Sequence, residues 1–146
     1  NWTLSLDSAM AVAQISPFLR RQLPELQRQQ ALLTGFDLAS RHLRVIARRI
    51  YFLLKEGGGR DELPGLLGTV ASAIDLLGAS IDDPPARARA AEVLRELAPT
   101  LDPAKLMPHA HVSESVIVML VRPLVVDLLV ATGTTADDAR ALLPVV

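Results

Sequence analysis

At 146 residues, half of them apolar, the chain is long enough to form one domain around its own hydrophobic core. It has no cysteine, which excludes a disulfide scaffold and thiolate chemistry. Fifteen Lys/Arg against sixteen Asp/Glu give a net charge of −1, which points neither to a nucleic-acid binder nor to a strongly acidic protein.

The aromatic residues are only Trp2, Phe18, Phe36, Tyr51 and Phe52, so the core must be built from Leu, Val, Ile and Ala. Abundant Leu and Ala favour helix over strand. Thr3 to Gln14 reads as a first helix. Ser16-Pro17 then supplies an N-cap followed by Pro at the first helical position, and Pro24 restarts a helix in the same way. From about residue 25 to 56 the pattern is unbroken except at Gly35. Leu32, Phe36, Ala39, Leu43, Ile46, Ile50 and Leu53 recur at alternating spacings of four and three, one apolar seam on one long helix. Gly57-Gly58-Gly59 ends it.

Asp61 caps the next predicted helix, whose seam is Leu63, Leu67, Val70, Ile74, Leu77 and Ile81. Asp83-Pro84 caps another that reaches Leu97, with Ala90, Val93 or Leu94, and Leu97 inward. Asp102-Pro103 opens a single turn, and Pro108 closes it. The last long helix is expected from Ser113 to Thr132 with Gly133 as its C-cap. A short helix capped by Thr135 then runs to Leu143, with Asp137 and Asp138 against its positive end. Val116–Val130 is the most apolar stretch. It is shorter than the roughly 20 residues a span needs and carries Arg122, Pro123 and Asp127, so it reads as a buried core helix, kinked where Pro123 frees the Met119 carbonyl. The expected fold is all-α, an antiparallel bundle of five to six helices in a single domain. The chain opens on Asn1 and shows no signal-peptide pattern, and is expected to be a piece of a longer protein.

Two constellations stand out. Arg122 and Asp127 lie in the most apolar helix, five positions and therefore roughly 140° apart, so they do not pair with each other. They read as members of a buried ion pair or a pocket, with Asp127 facing the Arg44/Arg48 region of the long helix. The second is the basic stripe Arg41, Arg44, Arg48 and Lys55, flanked by His42 and Arg49. Its bland reading is a solvated face; its functional reading is an interface, with anionic lipid headgroups as the expected partner. The stripe is too modest, and too poor in surrounding aromatics, to read as a nucleic-acid surface. Alternate histidines in Pro108-His109-Ala110-His111 lack further ligand spacing, so no metal is expected. Gly57-Gly58-Gly59-Arg60 follows a helix and lacks the Lys-Ser/Thr of a phosphate loop. No Ser, His and carboxylate stand at a motif spacing, so neither an enzyme nor a cofactor is expected.

Two segments carry a family likeness. One is Phe36-Asp37-Leu38-Ala39-Ser40-Arg41-His42-Leu43-Arg44-Val45-Ile46-Ala47-Arg48-Arg49. The other is Leu120-Val121-Arg122-Pro123-Leu124-Val125-Val126-Asp127-Leu128-Leu129-Val130-Ala131-Thr132-Gly133, with Asp137-Asp138-Ala139 and Leu142-Leu143-Pro144 closing the chain. Together they resemble the soluble region of fusaric-acid-resistance-type membrane proteins, also called aromatic acid exporter-like proteins, found in actinobacteria. The likeness is strongest toward the C-terminus and thin between residues 57 and 110, and it lies in packing motifs. It implies a cytoplasmic helical domain at the inner membrane, a transmembrane domain elsewhere in the same protein as its partner, and efflux of small compounds. It supplies no transport residue here. The expected function is therefore an accessory, regulatory or scaffolding domain of an efflux transporter, with a homo-oligomer as a further expected partner. The alternative is the ligand-sensing helical domain of a transcription regulator, in which pockets form between helices.

Overall fold

The computed structural model describes residues 23–57, 62–108 and 112–146, together with Ser5, Ser8 and Ala11 as helical positions. Those three positions fall within the predicted first helix; the rest of it, the Ser16-Pro17 cap, the Gly58-Gly59 and Asp61 signals and the His109/His111 pair lie outside the described residues. Within them the chain is all-α. The elements are α1 (Leu23–Lys55), α2 (Glu62–Ala79), α3 (Pro84–Leu97), a 3-10 turn (Ala98–Thr100), α4 (Pro103–Leu106), α5 (Val112–Ala131) and α6 (Ala136–Ala141).

The central element is α5, packed chiefly on α1 and flanked by α3, α4 and α6. Ile117, Val118, Val121, Leu124, Leu128 and Leu129 are all sealed from solvent. The long apolar run thus makes a core helix, because it has neighbours on several sides. It continues through Pro123 without a break. Pro123 and Met119 are both exposed, so the backbone bond that proline cannot make falls on the side open to water. α1 and α5 run antiparallel: Gly35 meets Ala131, and farther along α1 His42 meets Asp127. α2 and α3 form an antiparallel hairpin joined by the tight turn at Ser80–Asp83. Among the described helices only α2 is long and apolar enough to cross a membrane, with a mean hydropathy of 1.2. In this fold it places Leu63, Leu66, Val70, Ala73 and Leu77 in the core.

The α1 seam is covered only in part. Leu32, Ala39, Ile46 and Leu53, seven apart, are buried, whereas Phe36 and Ile50 are half-buried and Leu43 is exposed. The expected α2 seam is also rotated. Leu67 and Ile74 are half-buried and Ile81 is exposed, while Leu66 and Ala73 take the inner positions. α5 is the principal partner of α1, so only a narrow stripe of α1 is covered.

The helix ends follow their cap chemistry with one exception. Gly133 has φ 102°, and the Thr134 and Gly133 amides donate to the Leu129 and Val130 carbonyls, closing α5 in a Schellman arrangement. Thr135 Oγ1 accepts from the Asp138 amide at 3.1 Å, and Asp102 accepts from the Ala104 amide at 3.0 Å. Asp83 sits at the N-cap of α3 but makes no side-chain cap; its carboxylate instead accepts from Arg89 Nη2 at 2.6 Å. With Pro at the first two helical positions, α3 leaves fewer free amides there for a cap to satisfy.

Candidate functional site

All four members of the basic stripe lie on the exposed side of α1. Arg41 and Arg48 each follow a buried residue, Ala39 and Ile46, by two positions, and Lys55 follows Leu53 in the same way. Two positions on a helix are about 200°, so this row points directly away from the core. Arg41 Nη2 donates to Asp37 Oδ2 at 2.6 Å, one helical turn back. Arg44, Arg48 and Lys55 have no hydrogen-bond or ion-pair partner among the described residues. Lys55 stands in the last turn of α1, where the helix dipole favours a cation. Val45, Tyr51, Phe52 and Leu54 are exposed beside this row. The Tyr51 and Phe52 rings meet edge to face with centroids 5.6 Å apart.

Arg122 and Asp127 go to separate places. Asp127 does face α1, but its partner there is His42, not Arg44 or Arg48: His42 Nε2 and Asp127 Oδ2 are 2.9 Å apart. Both side chains keep some solvent contact, at 30% and 24% exposure, so the link is a half-open one at the rim of the α1–α5 seam. Arg122 forms no ion pair among the described residues. Its guanidinium donates from Nη1 to the Leu101 carbonyl and from Nη2 to the Pro144 carbonyl, each at 2.6 Å. It thus ties the turn after α3 and the C-terminal tail to the central helix. Among the described residues neither belongs to a cluster that could bind a metal.

His42 was singled out in the sequence only as a flank of the basic stripe. Its spacing already held more: three after Ala39 and four before Ile46, it borders the buried row. We expect a double-mutant cycle with His42→Ala and Asp127→Ala to give a coupling of about 0.5–1 kcal/mol by denaturant unfolding. Asp127→Leu combined with Arg48→Met should be additive. The reverse pattern would assign Asp127 to the arginines.

A cleft of about 480 Å³ opens where the first turns of α1 and α3 meet the C-terminal end of α5. Pro24, Arg28, Ala31, Arg87, Thr132 and Gly133 are among its walls. Arg28 is bridged to Glu25 at 2.9 Å, and Arg87 has no partner among the described residues. Two guanidiniums at the negative end of α5 are explained by the helix dipole. Of the polar groups in the core, Ser80 donates to the Leu77 carbonyl at 2.6 Å, and Glu114 lies in the first turn of α5, where the dipole favours a carboxylate. The chain matches no family model, no curated protein and no solved structure.

Proposed function

We propose that the chain is an accessory or scaffolding domain of a small-molecule efflux transporter, held at the cytoplasmic face of the membrane by a transmembrane part of the same protein. The observation that supports it is the outer face of α1. A helix of 33 residues gives its buried row to α5 and leaves an extended, cationic side with exposed Val45, Tyr51, Phe52 and Leu54 facing outward. A face of this kind suits docking against a neighbour. The family likeness of the α1 and α5 segments supports the same reading. The proposal assigns the chain no catalytic step.

The test is the reading frame to which the chain belongs, expressed whole and fractionated. Retention in the membrane fraction, with apolar spans of roughly 20 residues outside this region, supports the proposal. Loss of efflux on deleting residues 23–146, with membrane insertion kept, supports it further. A frame without such spans rejects it. The cleft beside Arg28 and Arg87 favours a second reading, a ligand-sensing domain of a transcription regulator, and a DNA-binding helix-turn-helix in the same frame would decide for that one.

A further inference from the structure

We infer that the outer face of α1 is a peripheral membrane-binding surface for anionic phospholipid, with Arg44, Arg48 and Lys55 meeting headgroup phosphates and Tyr51 and Leu54 entering the headgroup–acyl boundary. This goes a step beyond the accessory-domain reading and rests on its placing the chain beside a membrane.

Three observations carry it. From Ser40 to Lys55 the helix has five Lys/Arg and no Asp or Glu, in a protein whose net charge is −1. The positive charge is therefore concentrated on one segment about 21 Å long, and four of its five cations, Arg44, Arg48, Arg49 and Lys55, have no hydrogen-bond or ion-pair partner among the described residues. Second, the row Arg41, Arg48 and Lys55 is diametrically opposite the buried row Ala39, Ile46 and Leu53. The helix can thus lie flat on a surface without giving up any contact with α5. Third, apolar side chains stand on both shoulders of the cationic row. Val45 and Phe52 lie on one, at 51% and 47% exposure; Tyr51 and Leu54 lie on the other, each at 63%.

This third feature separates a bilayer from other anionic partners. A helix of another protein would take a single continuous apolar seam, and here Arg41, Arg48 and Lys55 run between two apolar shoulders that meet at the Tyr51–Phe52 ring contact. A nucleic-acid backbone would take up the cations but leave Val45 and Leu54 in water. A bilayer interface accepts both. Long arginine stems lie along the apolar layer with their heads at the phosphates, while ring and aliphatic groups enter between headgroups.

The experiment is co-sedimentation of the full chain with vesicles of phosphatidylcholine alone and with vesicles containing roughly a third phosphatidylglycerol, at low ionic strength and at about 0.5 M salt. We expect binding only to the anionic vesicles, lost at high salt. Arg44→Glu with Arg48→Glu should lower the partition coefficient about tenfold or more. Tyr51→Ser with Leu54→Ser should lower it severalfold. Arg95→Glu with Arg140→Glu makes the same change of net charge on other helices and should stay within about twofold of the parent. Every position changed is exposed, and an unchanged thermal midpoint establishes that each variant is folded.

Four outcomes overturn the inference: equal binding to phosphatidylcholine, equal loss in the control pair, no vesicle binding with retention of duplex DNA, or no vesicle binding with self-association that the Tyr51/Leu54 variant abolishes. The last would make the face a contact between copies of the chain. Failure here together with a membrane-spanning reading frame rejects the lipid surface and leaves the accessory-domain reading standing. Vesicle binding by a chain whose frame has no spans does the reverse.

Discussion

Gly35→Leu is expected to cost about 3 kcal/mol or more of folding stability. Glycine inside a helix costs about 1 kcal/mol relative to alanine, so something must compensate for it here. The compensation is close approach. A Cβ at position 35 would overlap the Ala131 Cβ and lie 3.4 Å from the Ala131 Cα and 3.6 Å from the Asp127 carbonyl oxygen. The obstacle is the Ala131 methyl, which is fixed to the α5 backbone and which no rotamer change can move. A leucine there must push apart the two most extensively packed helices of the fold. Gly35→Ala brings helix propensity and overlap into opposition: a gain of about 1 kcal/mol against overpacking of roughly 1–3 kcal/mol leaves a smaller loss. Ala131→Gly removes the opposing methyl, so the double variant Gly35→Ala/Ala131→Gly should show a favourable coupling of about 1 kcal/mol or more in urea unfolding. Gly35→Leu within about 0.5 kcal/mol of the parent would mean that α1 and α5 do not meet at this point.

That same contact explains how far the sequence could be read. Helix class and extent came from periodicity and stop signals: α1 was expected over residues 25 to 56 and is observed as Leu23–Lys55, and α5 was expected as Ser113 to Thr132 and is observed as Val112–Ala131. These features are local, and Gly57 and Gly133, both at positive φ, mark their ends. Which row of the α1 seam is buried is not local. Leu43 and Ile46 carry equal weight in a spacing argument, yet one is exposed and the other sealed, because burial depends on how many helices cover the face. The choice between His42, Arg44 and Arg48 as the partner of Asp127 depends likewise on the axial register of α1 against α5. Gly35 against Ala131 helps fix that register, and their meeting is a tertiary fact that no spacing within either helix contains. The outer face of α1 was legible in its charges but not in its apolar shoulders, since Val45 and Phe52 are distinguishable from core residues only once the core direction is known.

Arg122→Met should cost about 3 kcal/mol, a loss out of proportion to a half-buried surface arginine. Hydrogen bonds to a charged donor contribute roughly 1.5–3 kcal/mol each, and this guanidinium makes two, to carbonyls that the chain brings from opposite directions. Leu101 is wholly buried, so losing the donor leaves its carbonyl short of a partner in an apolar setting, which adds to the cost. Methionine keeps much of the volume and flexibility of the side chain, so the change reports the hydrogen bonds more than a cavity. Arg122→Lys retains the charge but not the planar fork, and one ammonium is poorly placed to serve both carbonyls; it should recover less than half of the loss. The measurement is urea unfolding, in which a lowered midpoint with an unchanged slope marks a change in stability alone. Amide exchange gives the spatial signature. Both clamped segments, the turn at Leu101 and the tail around Pro144, should lose protection in the methionine variant, while Leu128 and Leu129 follow only the global change. Loss of protection confined to one segment would show that Arg122 holds a single carbonyl in solution and would halve the expected cost.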